Sequence, residues 1–360
     1  MNRRAIGIGI PREVVARFVT AALVAMTAGI GTISAQSPAP ATVDGLLSAA
    51  KIAAGLDWPG TFLRLCIPPP AGGRGAGGGG RGANAQPAGR GGRGAAATAP
   101  ASGPPRELWY AEPARVADNL YFLGTSIHNA WALVGSDGII VFEALFDYAA
   151  PDEIVDGMRK LGLDKSKVKY IVISHAHADH DGGARFLQDS MPAARLVYGA
   201  ADWDAVEKSP THQGGKPTRD TVGSDGMKIA VGDASVQIVT MPGHTAGTLS
   251  FLFEVKDRGK PLRIAYVGGT AIPFDGSAAY YDQYLASTRK MAKAAADFGA
   301  TALLSNHTEF DNAFYRAHTA ANRKGSEANP FDVGRDAVGR YFTVVEDCVT
   351  AAKLRATGTK

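Results

Sequence analysis

From about Leu108 onward, short apolar runs alternate with Gly-marked turns, and a few stretches carry apolar residues at helical spacing. Asn119 to Gly124 and Ala130 to Val134 read as short strands, Gly138 as a turn and Ile139 to Phe142 as the next strand. Pro151 suits the first position of a helix whose Ile154, Met158 and Leu161 form one buried stripe and which ends at Gly162. Val168 to Ile173 is a mostly apolar run of the kind that fills a central strand buried on both faces. After Gly182-Gly183 the pattern predicts a helix through about Gln188, a strand Arg195 to Tyr198, a short helix Asp202 to Glu207 and a Pro/Gly-rich loop from Ser209 to Gly223. Strands follow at Lys228 to Ala230, Val236 to Met241, Leu249 to Val255, Arg263 to Val267 and Ala302 to Leu304. Gln283 to Phe298 and Asp336 to Leu354 read as helices. The expectation is a mixed α and β domain over residues 106–360, and 45% apolar residues suffice for its core.

The first 105 residues follow other rules. Arg3, Arg4, Arg12 and Arg17 precede an apolar run from Phe18 to about Ile33, and Ile33-Ser34-Ala35 offers a small-residue cleavage site, so residues 1–35 read as a secretory signal peptide. The run is shorter than the ~20 residues a spanning helix needs. Export to the periplasm or outside the cell is therefore expected, with no stable membrane span after cleavage. Removing the leader takes the formal charge from +4 to about +1. Residues 36–70 form an amino-terminal segment. Residues 71–105 are almost entirely Gly, Ala, Pro and Arg, too poor in apolar surface to fold, and read as a disordered insert. Arg74, Arg81, Arg90 and Arg93 resemble RNA-binding tracts, but no aromatic residues are interleaved, so no nucleic-acid partner is expected. The two cysteines, Cys66 and Cys348, suit a disulfide in an oxidising compartment.

The chemistry concentrates in SHAHADHDGG, Ser174 to Gly183, which holds three of the eight histidines directly after a strand-like run. Histidine nitrogens and carboxylate oxygens are the donors zinc accepts. Residues two apart on an extended backbone share a side, so His175 and His177 can grip one ion while Asp179 and His180 serve another or the water it binds. His244 in MPGHTAGT, where Pro242-Gly243 permits a sharp turn, and His307 in LLSNHTEFD each follow a strand and extend the set. Thr245 and Ser174 are candidates for hydrogen bonds behind the ligands, and His212 and His128 for the walls of the cleft, whereas His318 reads as a helix-surface residue.

With HxHxDH, GHTAGT and the strand-end His307, the chain from about Leu108 resembles the metallo-β-lactamase fold superfamily. The resemblance implies a four-layer αββα sandwich with its metals at one edge between two sheets. It implies a first zinc held by His175, His177 and His244 and a second by Asp179, His180 and His307. In YVGGTAIPF, Tyr266 to Phe274, Gly269 stands where thioesterases, lactonases and phosphodiesterases of the superfamily usually carry a metal-bridging Asp, and the Cys that subclass B1 β-lactamases use at about this point is absent too. The six-residue set is thus closest to subclass B3. B3 enzymes often place serines in the following loop for the substrate carboxylate, which makes Thr270 the candidate substrate contact here. The resemblance implies a small-molecule substrate, a β-lactam opened by zinc-activated water, with Asp179 as the catalytic residue that orients the nucleophile. Lactone, thioester or phosphodiester hydrolysis is the alternative on the same centre, and an iron-dependent oxidoreductase is a further one.

Overall fold

The computed structural model describes residues 41–69 and 103–358. The expected leader and almost all of the expected insert lie outside the described residues. Among the described residues, twelve strands form two sheets. The first comprises, in spatial order, β1 (Ala114–Arg115), β2 (Leu120–Phe122), β3 (Trp131–Gly135), β4 (Gly138–Phe142), β5 (Val168–Val172), β6 (Arg195–Gly199) and β7 (Thr221–Gly223). The second runs β12-β11-β10-β9-β8, with β8 at Lys228–Val231, β9 at Ala234–Thr240, β10 at Leu249–Asp257, β11 at Lys260–Val267 and β12 at Ala302–Ser305.

Chain connections explain the two halves of the first sheet. The two-residue turn at 136–137 closes β3 on β4 antiparallel, with Gly135 opposite Gly138. From β4 to β7 each pairing is parallel, and parallel neighbours need a crossover. Helical segments at Pro151–Lys160, Ala184–Ser190 and Ala200–Lys208 supply it. The expected Pro151 helix is present with Ile154 and Met158 fully buried, although its first six residues are π-helical. In β5 the expectation of burial on both faces holds only in part, because Lys169 is exposed.

Three apolar layers account for the stacking. Phe142, Phe251, Phe253 and Tyr266 fill the space between the sheets, with Phe142 stacked on Phe253 at 5.1 Å. A second layer joins the five-stranded sheet to helices Val43–Ala54, Ala278–Phe298 and Arg335–Ala356 through residues such as Met291, Leu303 and Val345. A third joins the seven-stranded sheet to its crossover helices through Ile154, Leu187 and Trp203. The result is helix, sheet, sheet, helix, the four-layer αββα sandwich expected.

The amino-terminal segment turns out to be structural. Helix Pro59–Cys66 starts with proline at its first position, and the chain before it is pinned where Trp58 Nε1 donates to the Ala337 carbonyl at 2.6 Å. Cys66 and Cys348 are joined in a fully buried disulfide between this helix and the carboxy-terminal helix. Among the described residues no helix is long and apolar enough to cross a membrane.

Candidate metal centre

Every residue of the expected ligand set lies at a strand end on one edge of the sandwich. His175 and His177 follow β5, and His180 sits on the single helical turn Ala178–Asp181. His244 follows β9, and His307 follows β12. The folded chain gathers them into two groups.

In the first, His244 Nε2 lies 3.1 Å from His177 Nδ1 and 3.1 Å from His175 Nε2. Donor nitrogens on one tetrahedral zinc at about 2.0–2.1 Å stand roughly 3.3 Å apart, so the three rings already hold the spacing such an ion imposes. In the second, Asp179 Oδ2 lies 3.1 Å from His180 Nε2 and 3.2 Å from His307 Nε2, and the two ring nitrogens are 3.0 Å apart. This carboxylate with two imidazoles is a nitrogen and oxygen donor set that suits zinc. His128 joins this group, with Nε2 at 3.7 Å from the same Asp179 oxygen.

The far ring atoms explain the orientation of the donors. His175 Nδ1 donates to the Gly268 carbonyl at 2.7 Å, and His244 Nδ1 donates to the Ala271 carbonyl at 2.6 Å, which leaves each Nε2 lone pair facing the first group. Asn306 Nδ2 donates to the same Gly268 oxygen at 2.6 Å and so ties β11 to the His307 turn. Asp202 accepts from Ala176 N, Gly247 N and Thr245 Oγ1 at 2.8–2.9 Å, locking the loops of His175 and His244 together. Thr245 therefore acts behind the ligands, as does Ser174, whose Oγ lies 3.0 Å from His175 Nδ1.

Sequence reasoning missed Glu143, Tyr266, Asn306 and Asp202. Glu143 follows β4 with a left-handed φ of 68° and is fully buried behind His180, its Oε2 3.8 Å from His180 Nδ1. Tyr266 OH donates to its other oxygen at 2.7 Å. The available signal was an acid interrupting the apolar run IIVFEALF. His180 Nδ1 is buried without a hydrogen-bond partner among the described residues, so Glu143 is the one carboxylate placed to face it.

Electrostatics keep the imidazoles of the first group ready to ligate. Burial, reinforced by the neighbouring His177, pushes His244 down to about 3, and burial with three histidine neighbours holds His175 well below its usual value. Burial alone would raise Asp179, but His180 and His307 beside it outweigh that and hold its carboxyl well below the usual range. Neutral imidazoles in the first group and the Asp179 carboxylate in the second therefore face inward at neutral pH.

Other expectations resolve differently. Thr270 is 1% exposed, and its hydroxyl sits 2.8 Å from Tyr341 OH and 3.1 Å from Ser305 Oγ. Thr270, the substrate contact expected from the sequence, here ties the site loop to the carboxy-terminal helix. His212 Nε2 pairs with Asp181 Oδ2 at 2.9 Å and anchors the Ser209 to Gly223 loop beside the site. His318 lies on helix Ala313–Ala321 with both ring nitrogens on backbone carbonyls, those of Phe314 and Glu112.

Comparison with known proteins agrees with this geometry. The family model described as metallo-beta-lactamase superfamily matches residues 123–258. A hydroxyacylglutathione hydrolase of Xanthomonas axonopodis pv. citri is 31% identical over 126 residues, covering 34% of this chain and 42% of that protein. An N-acyl homoserine lactonase of Agrobacterium fabrum is 34% identical over 116 residues, covering 30% and 44%. The chain thus spans less than half the length of these relatives. Among solved structures, the subclass B3 metallo-beta-lactamase of Bradyrhizobium japonicum superposes with a TM-score of 0.59 at 24% identity, covering 70% of this chain and 98% of that one. The native metallo-beta-lactamase from Legionella gormanii gives 0.60 at 20% identity, covering 68% and 96%. Residues 123–258 thus match the metallo-β-lactamase superfamily model, and the fold of the chain is the one seen in the subclass B3 metallo-β-lactamases.

Proposed function

We propose that the chain is an exported zinc-dependent hydrolase that opens a cyclic amide of the β-lactam type, with two zinc ions held by His175, His177 and His244 and by Asp179, His180 and His307. One observation carries this reading. A Cβ built on Gly269 would stand 2.7 Å from the Cβ of His244, so the backbone at the place of the bridging acid is packed against a ligand, and the donor set stays at five histidines and one aspartate. The buried disulfide supports export, since such bonds persist in oxidising compartments.

Zinc bound there would lower the pKa of its water to roughly 7 and polarise a carbonyl. The chain's own residues do the positioning. Gly268 and Ala271 carbonyls aim His175 and His244, and Glu143 stands behind His180. Asp179, kept ionised by His180 and His307, is the acceptor that orients an attacking water and can hand a proton to the leaving nitrogen.

A lactone or thioester substrate is the second reading, favoured by the lactonase and the hydroxyacylglutathione hydrolase among the sequence relatives. The full chain, purified with zinc, is assayed against a β-lactam panel beside acyl-homoserine lactones and acyl-glutathione thioesters, with and without chelator. Chelator-sensitive β-lactam opening is the expected result. Turnover of lactones or thioesters alone overturns the cyclic-amide reading, and no turnover of any of them by zinc-replete protein overturns the hydrolase.

A further inference from the structure

We infer that His128 is a further protein donor at the second metal position, beside Asp179 and His307; the inference rests on the reading of that group as a metal site. His128 lies outside the six-residue set, on the turn that leads into β3.

The backbone fixes where it stands. Residues 127–129 pair with 306–308 through an isolated antiparallel bridge between His128 and His307. Thr308 N donates to the Ile127 carbonyl and Asn129 N to the Asn306 carbonyl, both at 2.9 Å. Below them the Thr125 hydroxyl accepts from the backbone N–H groups of Ile127 and His128, which closes the turn. The side chain of Asn129, fully buried, donates to the Ser305 carbonyl and reaches Asp311, so this stretch is held on the strand that delivers His307. His128 is therefore locked in register with a ligand.

Its ring points the right way. One ligand atom each from His128, Asp179 and His307 lie within 4.8 Å of one another. At 3.7 Å, His128 Nε2 is too far from Asp179 Oδ2 for a hydrogen bond. Two donors on one zinc at about 2.0–2.2 Å stand roughly 3–4 Å apart, and 3.7 Å falls in that interval. The same carboxylate oxygen is shared by His180 and His307 at 3.1 and 3.2 Å. The ring is fixed edge-on against Phe146 and His307, with centroids at 5.2 and 5.0 Å, and its side chain is only 14% exposed. A half-buried imidazole without a hydrogen bond to this acid, turned toward a shared donor oxygen, fits an ion between them.

Metal alone is the probe. Full-length wild type, His128→Ala and His128→Phe are stripped with chelator and titrated with Zn²⁺ and with Co²⁺, reading stoichiometry, the two affinities and the cobalt ligand-field spectrum. His128→Phe retains the ring packing and removes the donor. We expect both variants to lose at least tenfold in affinity for the second ion, to keep the first, and to change the absorption of the second cobalt. Wild type that binds two ions while both variants match it in affinity and spectrum overturns the inference. Loss in His128→Ala with full affinity in His128→Phe also overturns it, because packing then explains the effect. Wild type that binds a single ion overturns the dinuclear reading itself.

Discussion

Gly269 is packed against His244 so closely that an added Cβ would lie 2.7 Å from the ligand's own Cβ. That distance cannot be relieved by swinging the far end of a flexible side chain, so His244 itself must move. Gly269→Ala is expected to cost about 1–3 kcal/mol of stability, in the range of overpacked cores, and to weaken the first ion at least tenfold while sparing the second. Metal titration beside thermal melting checks both. Gly269→Asp is expected to be worse in both respects and to create no bridged centre, and wild-type metal affinity in Gly269→Ala would refute the crowding argument.

Asp179 offers one oxygen to His180 and His307 and faces His128 as well. With Asp179 orienting the attacking water as proposed, Asp179→Ala is expected to lose about 10²–10⁴-fold in kcat, the usual scale for a positioned acid or base. His177→Ala is expected to abolish turnover through loss of a first-ion donor. Both proteins should retain the wild-type circular dichroism, because neither side chain belongs to the apolar layers. Unchanged turnover of metal-replete Asp179→Ala would contradict the assignment.

How much was legible follows from the range of each interaction. The cluster from His175 to His180 is local, so its crowding is visible in a few positions, and the strand-end placement of His244 and His307 follows from short apolar runs before them. Gly269 was also readable, as a small residue where an acid could have stood. The engagement of Thr270 was not legible because its partner, Tyr341, lies 71 residues away on the carboxy-terminal helix, and nothing local says that its hydroxyl is already engaged. Glu143 was missed for a related reason: one acid in an apolar run resembles a surface position until its left-handed backbone and Tyr266 bury it. Strands β1 and β7, of two and three residues, are too short to show a period, and the two amino-terminal helices owe their place to packing on the carboxy-terminal helix.

The disulfide reaches the site through helix Pro59–Cys66. Thr61 Oγ1 donates to the Phe310 carbonyl at 2.7 Å, Arg64 pairs with Glu309 at 2.7 Å, and Gly60 is packed on the Glu309 carbonyl. These contacts brace the turn that carries His307. Since Cys66 and Cys348 are 282 residues apart, their bond closes a long loop, and its loss is expected to cost about 2–5 kcal/mol. Cys66→Ser, or reduction of the wild type, should therefore lower the melting temperature and weaken the second ion more than the first. Equal weakening of both ions would separate the disulfide from the brace.

Glu153 carries a pH dependence that lies away from the metals. Its side chain is fully buried; Ala111 N donates to Oε1 at 2.8 Å, and Oε2 has no hydrogen-bond partner among the described residues. Burial pushes the carboxyl up to about 9 from its ordinary 4.5, against the modest opposing effects of the Ala111 hydrogen bond, Arg106 and Lys160. The folded chain thus holds a proton that the unfolded chain releases, so stability falls as pH rises from about 4.5 and levels off above about 9. At pH 7 the deficit from this one group is about 3 kcal/mol. Glu153→Gln keeps the acceptor for Ala111 and removes the titration, so it is expected to stabilise the protein by about 1–3 kcal/mol at pH 7 and by progressively less toward pH 4.5. Denaturant unfolding at pH 5, 7 and 8 reads the difference, and a gain that does not grow with pH would show that Glu153 is ionised in the folded state.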